Sequence, residues 1–99
     1  MIVRLVKLTF EPDQVNAFLV LFSSIESKIK SFEGCHDLYL LRDLKESSVF
    51  FTYSVWNSTE DLDNYKESPF FKETWLKTKA LFAAPAKAWS LDKMFKNNT

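Results

Sequence analysis

Residues 54–71, SVWNSTEDLDNYKESPFF, decide the fold, because a strand end, a helix start and a second helix start follow one another within this span. Ser54-Val55-Trp56 closes a run of β-branched and aromatic residues. Ser58 then offers a hydroxyl to cap a helix, with Asp61 at the spacing of a capping-box acid, and Glu60 and Asp61 both suit the positive end of the helix dipole. Leu62 and Tyr65 share the inward face. Ser68-Pro69 repeats the cap-then-proline signal, which predicts a break into two helical pieces, with Phe71, Trp75 and Phe82 continuing at helical spacing until Pro85 stops the helix.

Upstream, CHDLYLLRDL and SVFFTYSVW both read as strands, and the polar KESS between them makes an antiparallel hairpin the natural pairing. Further back, MIVRLVKLTF is a first strand that halts at Glu11-Pro12, with Arg4 and Lys7 on opposite faces by period-two counting. From Pro12, the residues Val15, Phe18, Leu19, Phe22, Ile25 and Ile29 recur at spacings of three and four, the pattern of an amphipathic helix of about five turns. The only glycine of the chain, Gly34, closes the turn after that helix, where a positive φ is most easily placed. Downstream of Pro85, Lys87, Trp89 and Leu91 alternate with small residues as a final strand, and residues 96–99, KNNT, are expected to fray.

The order is β-α-β-β-α-β in one domain, residues 1–95. That is the α+β, ferredoxin-like plan: a four-stranded antiparallel sheet with two helices on one face. The other face is left bare, yet the strands do not alternate cleanly between polar and apolar. Phe50, Thr52, Ser54 and Trp56 lie opposite Val49, Phe51, Tyr53 and Val55, and the second strand sets His36, Leu38, Leu40 and Arg42 against Cys35, Tyr39 and Leu41. Two copies packed sheet against sheet would cover that face, so a homodimer is expected.

Composition bounds the rest. Of 99 residues, 46% are hydrophobic and 16% aromatic, with ten Phe, more than one small domain easily hides, which points to an aromatic-lined cavity or interface. Thirteen basic residues balance thirteen acidic ones and are interspersed with them, so no basic stripe offers itself to nucleic acid. No apolar run approaches the roughly 20 residues of a membrane span. One cysteine excludes an internal disulfide, and the N-terminus carries no signal-peptide pattern, so the cytoplasm is the expected compartment. One His and one Cys build no metal site, and a single Gly builds no phosphate loop, so neither a metal nor a nucleotide cofactor is expected.

With strand, helix and hairpin in place, the pieces EGC…LLRD, the strand ending in Trp56, and NSTEDLDNYKESPFFKETW together resemble the antibiotic biosynthesis monooxygenase family over residues 1 to about 93. The resemblance implies a dimeric α/β barrel. It also implies, in some members, oxidation of quinols or polyketide phenols by O2 without a cofactor, and in others haem degradation. The Asn, Trp and His of the haem-degrading branch fall on Val6, Tyr65 and Trp75 here, which removes the iron ligand and disfavours that branch. The quinol-oxidising members often carry helix histidines at the places of Tyr65 and Phe70, both aromatic here.

Cofactor-free oxygenation needs a base to make an electron-rich phenolate, an aromatic pocket that excludes water, and a donor for the developing anion. On that ground His36 is the expected base, Arg42 the charge stabiliser, with Arg4 as its alternative, and Tyr65 the donor. Tyr39, Trp56, Phe70 and Trp75 are the expected walls for a small aromatic substrate. The expected activity is a cofactor-independent monooxygenase; the alternative is a non-catalytic dimeric module of the same fold that binds an aromatic small molecule.

Overall fold

Strand β1 (Ile2–Phe10) runs through the middle of the sheet and is followed by a 3-10 turn, Pro12–Gln14, and helix α1 (Val15–Lys30). Strands β2 (Cys35–Arg42) and β3 (Val49–Trp56) form the expected hairpin. Helices α2 (Thr59–Glu67) and α3 (Pro69–Lys79) lead to β4 (Phe82–Asp92), which closes the chain's described part. These elements come from a computed structural model that describes residues 1–95; the expected frayed segment, 96–99, lies outside them. The sheet order is β2-β3-β1-β4 with every neighbouring pair antiparallel, the ferredoxin-like arrangement that the element order predicts.

The second helix is broken where the sequence signals it. Ser68 ends α2 in extended backbone and starts α3: its hydroxyl donates to the Tyr65 carbonyl and accepts the Phe71 amide, while Pro69 takes a first-turn position that needs no amide hydrogen. Ser58 caps α2 by accepting the Asp61 amide, and its own hydroxyl donates to the Asp61 carboxylate. Two helical pieces thus replace one, making three helices on the covered face.

Two boundary expectations give way at the start of β4. Phe82 opens the strand instead of extending the helix, because the chain leaves α3 at Ala80 and Phe82 pairs with Phe10 across the sheet. Its ring packs against Phe10 at 5.4 Å and Trp75 at 5.7 Å, a contact that helical spacing from Trp75 mimics. Pro85 therefore does not stop the helix. It sits inside an edge strand at a register shift between the Lys7 and Thr9 pairings, where its missing N–H breaks no ladder bond.

The core lies between sheet and helices. Leu8 and Phe10 of β1, Phe50 of β3 and Val15, Phe18 and Phe22 of α1 form one buried cluster. Phe10 and Phe18 stack with ring centres 4.1 Å apart, and Phe50 approaches Phe18 at 5.4 Å. On the opposite sheet face Val3, Val49 and Val55 are buried, but Tyr39, Leu41, Trp89 and Leu91 remain between 42% and 51% exposed, so that face is only partly covered.

Candidate functional site

Beside the core, towards the Ser54 end of the central strands, side chains fall short of filling the space between sheet and helices and leave a cavity of about 360 Å³. Its floor follows from strand alternation. Arg4, Val6 and Leu8 of β1, Thr52 and Ser54 of β3, Leu38 of β2, and Ala86 and Ala88 of β4 all project to the helix side. Phe18, Phe22, Ile25 and Ile29 close one flank from α1, while Leu62, Tyr65 and Lys66 of α2 and Phe71, Thr74 and Trp75 of α3 form the roof. Among these lining residues Ala88, on the edge strand, is the exposed one.

The break at Ser68-Pro69 is what lets one helical region present both Tyr65 and Trp75 to the same space. Rings run in contact along the roof: Phe32 meets Tyr65 at 4.9 Å, Tyr65 meets Phe71 at 5.1 Å, and Phe71 lies nearly parallel to Trp75 at 5.9 Å. Trp56 stacks on the far side of Tyr65 at 5.0 Å, is wholly buried, and donates its indole N–H to Ser54 Oγ at 2.9 Å. Of the aromatic residues of that segment, Tyr65 and Phe71 therefore form part of the wall and Trp56 its backing.

Burial drives the Tyr65 phenol's pKa well above the usual tyrosine value, with the nearby Cys35 thiol a lesser contribution in the same direction. The ring is thus a neutral hydroxyl at any physiological pH. Its hydroxyl has no hydrogen-bond partner among the described residues, and Tyr65 lines a space whose walls are mostly hydrocarbon. Cys35 itself is half-buried, with its thiol pushed up chiefly by burial and Sγ 3.7 Å from the Asp37 carbonyl oxygen, which leaves it a poor thiolate.

Of the residues expected at the site, Tyr65 and Trp75 line the cavity and Trp56 backs it. The other four stand elsewhere. His36 is the extra residue of a β-bulge: Cys35 pairs with Trp56 and Asp37 with Val55, so His36 is squeezed out of the alternation and lies exposed, hydrogen-bonded to Asn57 Oδ1. Arg42 is exposed at the hairpin end, where Nε donates to the Ser47 carbonyl at 2.7 Å and the guanidinium covers the Phe50 ring at 4.9 Å. Tyr39 is paired with Tyr53 on the bare face, and Phe70 packs on Phe32 at 5.7 Å, one residue off the cavity-facing Phe71. Of the two arginines weighed as charge stabilisers, it is Arg4 that lines the cavity, and its Nη1 donates to Ser90 Oγ at 3.0 Å.

Val6, Tyr65 and Trp75, the positions of the haem-degrading trio, converge on this one cavity. The donor set does not fit haem iron. No imidazole, thiol or thioether lies among the described lining residues, and the one phenol that could ligate as phenolate is held neutral by burial. Thr52, Ser54, Lys66, Thr74 and Thr78 complete the polar lining, and sequence reasoning did not single them out as site residues. Period-two counting from Trp56 could have found the two strand residues, since both share its face.

Comparison with known proteins places this geometry. An uncharacterized protein of Synechocystis sp. shares 29% identity over 76 residues, 77% of this chain and 52% of its own length, so the chain spans about half the length of the curated relative it matches. An antibiotic biosynthesis monooxygenase crystal structure superposes with a TM-score of 0.88 at 17% identity, covering 95% of this chain and 99% of the other. The Mycobacterium tuberculosis protein Rv0793 gives 0.88 at 16% identity over 96% of both chains, and a conserved protein from Methanosarcina mazei gives 0.87 at 22% over 94% of this chain and 93% of its own. These likenesses establish the shared ferredoxin-like fold. The family model described as antibiotic biosynthesis monooxygenase matches residues 1–75, well over half of the sequence, and the chain therefore belongs to the antibiotic biosynthesis monooxygenase family.

Proposed function

We propose that the cavity takes a hydroxylated aromatic molecule, a quinol or a polyketide-like phenol, and presents it to O2 without a prosthetic group. The observation that carries this reading is Tyr65, buried and protonated, among the lining residues of an apolar space of about 360 Å³, within the range of small-molecule sites. For a hydroquinone the balance is simple: one oxygen atom of O2 enters the ring, the other leaves as water with the two hydroxyl hydrogens' worth of reducing equivalents, and a hydroxyquinone results. Tyr65 would donate to the substrate oxygen and stabilise negative charge there, while Phe71, Trp75 and the α1 flank exclude water.

Dissolved O2 is the co-reactant, and the substrate's phenolic proton passes to solvent, since no His, Asp or Glu stands among the described lining residues. That same observation favours a second reading, a non-catalytic module that binds an aromatic small molecule. Oxygen uptake with naphthohydroquinone and anthrone separates the two. Uptake well above autoxidation, reduced tenfold or more in Tyr65→Phe and retained in His36→Ala, is the expected result. Uptake at background, with the same compounds still bound, would leave the binding module.

The active form on this reading is a homodimer joined through the bare sheet face. Tyr39, Leu41, Trp89 and Leu91 on that face support it, because so much exposed aromatic and aliphatic surface is unfavourable in water on a lone domain. Sedimentation at micromolar protein should return twice the chain mass, and Leu41→Lys with Trp89→Lys should return the chain mass; a stable wild-type monomer would refute the pairing.

A further inference from the structure

We infer that the molecule bound in this cavity carries an ionised acidic oxygen and that Arg4 selects it, an inference that rests on the cavity being the ligand site. Arg4 projects from β1 between Ser54 on one neighbouring strand and Ser90 on the other, and it lines the cavity. A guanidinium has five N–H donors and stays charged at every pH a protein meets. Here one donor is used, on the neutral Ser90 hydroxyl, and no carboxylate of the described residues lies within ion-pairing distance.

The surroundings offer no other answer to that charge. The second cation of the lining, Lys66, has its own partner in Asp63 at 3.6 Å. Tyr65 is neutral, and Asp92, two positions beyond Ser90 along β4, does not reach Arg4. A permanent positive charge beside hydrocarbon walls favours an anion over a neutral ligand of the same shape. Ser54 strengthens the preference. Its oxygen already accepts the Trp56 indole N–H, so its own proton is free to be donated to the same anionic oxygen that Arg4 would hold.

Two aromatic anions share this chemistry: a substrate bearing a carboxylate, and the ionised hydroxyl of a hydroxyquinone, a vinylogous acid that the proposed oxidation would itself produce. Calorimetric titration with naphthoate, a hydroxynaphthoquinone and the neutral naphthylmethanol tests the inference and tells them apart. Wild-type protein is expected to bind at least one anion about tenfold or more tightly than the neutral alcohol, the strength of a charge-assisted hydrogen bond. Naphthoate preferred over the hydroxyquinone would mark a substrate carboxylate; the reverse would mark the product.

Arg4→Gln, which keeps a hydrogen-bonding group towards Ser90, should erase the preference while leaving naphthylmethanol within about threefold, and Arg4→Lys should restore part of it. Equal binding of anion and alcohol by the wild type, or a preference that survives in Arg4→Gln, would overturn the role of Arg4 and leave the cavity reading standing. Binding of none of the three probes would overturn both. Should Arg4→Gln fail to fold, the wild-type pair and Arg4→Lys still decide the matter.

Discussion

Trp56→Ala is expected to destabilise the fold by about 3–5 kcal/mol, a large part of the roughly 5–15 kcal/mol that holds a domain of this size together. Trp56 is fully buried, so truncation opens a cavity behind Tyr65 that solvent does not fill. It also leaves Ser54 Oγ, itself buried, without the indole N–H it accepts. Trp56→Phe should lose less, about 1–2 kcal/mol, because the ring stack survives and only the donor and some volume go. Urea unfolding followed by far-ultraviolet circular dichroism checks both. A side chain that merely touched substrate at a pocket mouth would leave the midpoint almost unmoved, and that outcome would contradict the backing role.

Gly34→Ala should cost about 2–4 kcal/mol through two separable causes. The backbone holds φ at +84°, a conformation that an L side chain resists. A Cβ there would also stand 2.3 Å from Asp61 Oδ2 and 2.5 Å from Asp61 Cβ, and the latter atom cannot swing aside. Asp61 belongs to the capped first turn of α2, so the clash would push on the helix that carries Tyr65. A double-mutant cycle with Asp61→Gly isolates the contact: the coupling should recover most of the loss, leaving about 1 kcal/mol of backbone strain. Additive effects would show that close approach plays no part.

Much of the architecture was legible in local chemistry. The cap at Ser58, the break at Ser68-Pro69, the hairpin across KESS and the turn at Gly34 each depend on residues within a few positions of one another, and each stands where the sequence puts it. The candidate site was legible only in part. Tyr65 and Trp75 were found because helical spacing and a helix break fix a face. His36 and Phe70 were not separable from true lining residues, because each lies one position from a residue that faces the interior.

Local pattern is thus enough for the element order, the antiparallel hairpin and the set of apolar faces, since periods of two and 3.6 are properties of a single strand or helix. Tertiary structure alone decided which residues meet. A one-residue bulge against Trp56 turned His36 out to solvent, and pairing with Phe10 drew Phe82 out of the helical pattern into a strand. The position of Arg4 between Ser54 and Ser90, against that of Arg42 at an exposed hairpin end, gave one of two similar cations to the cavity. Register and bulges are set by cross-strand packing between residues far apart in the chain, and a local pattern carries no record of its partner.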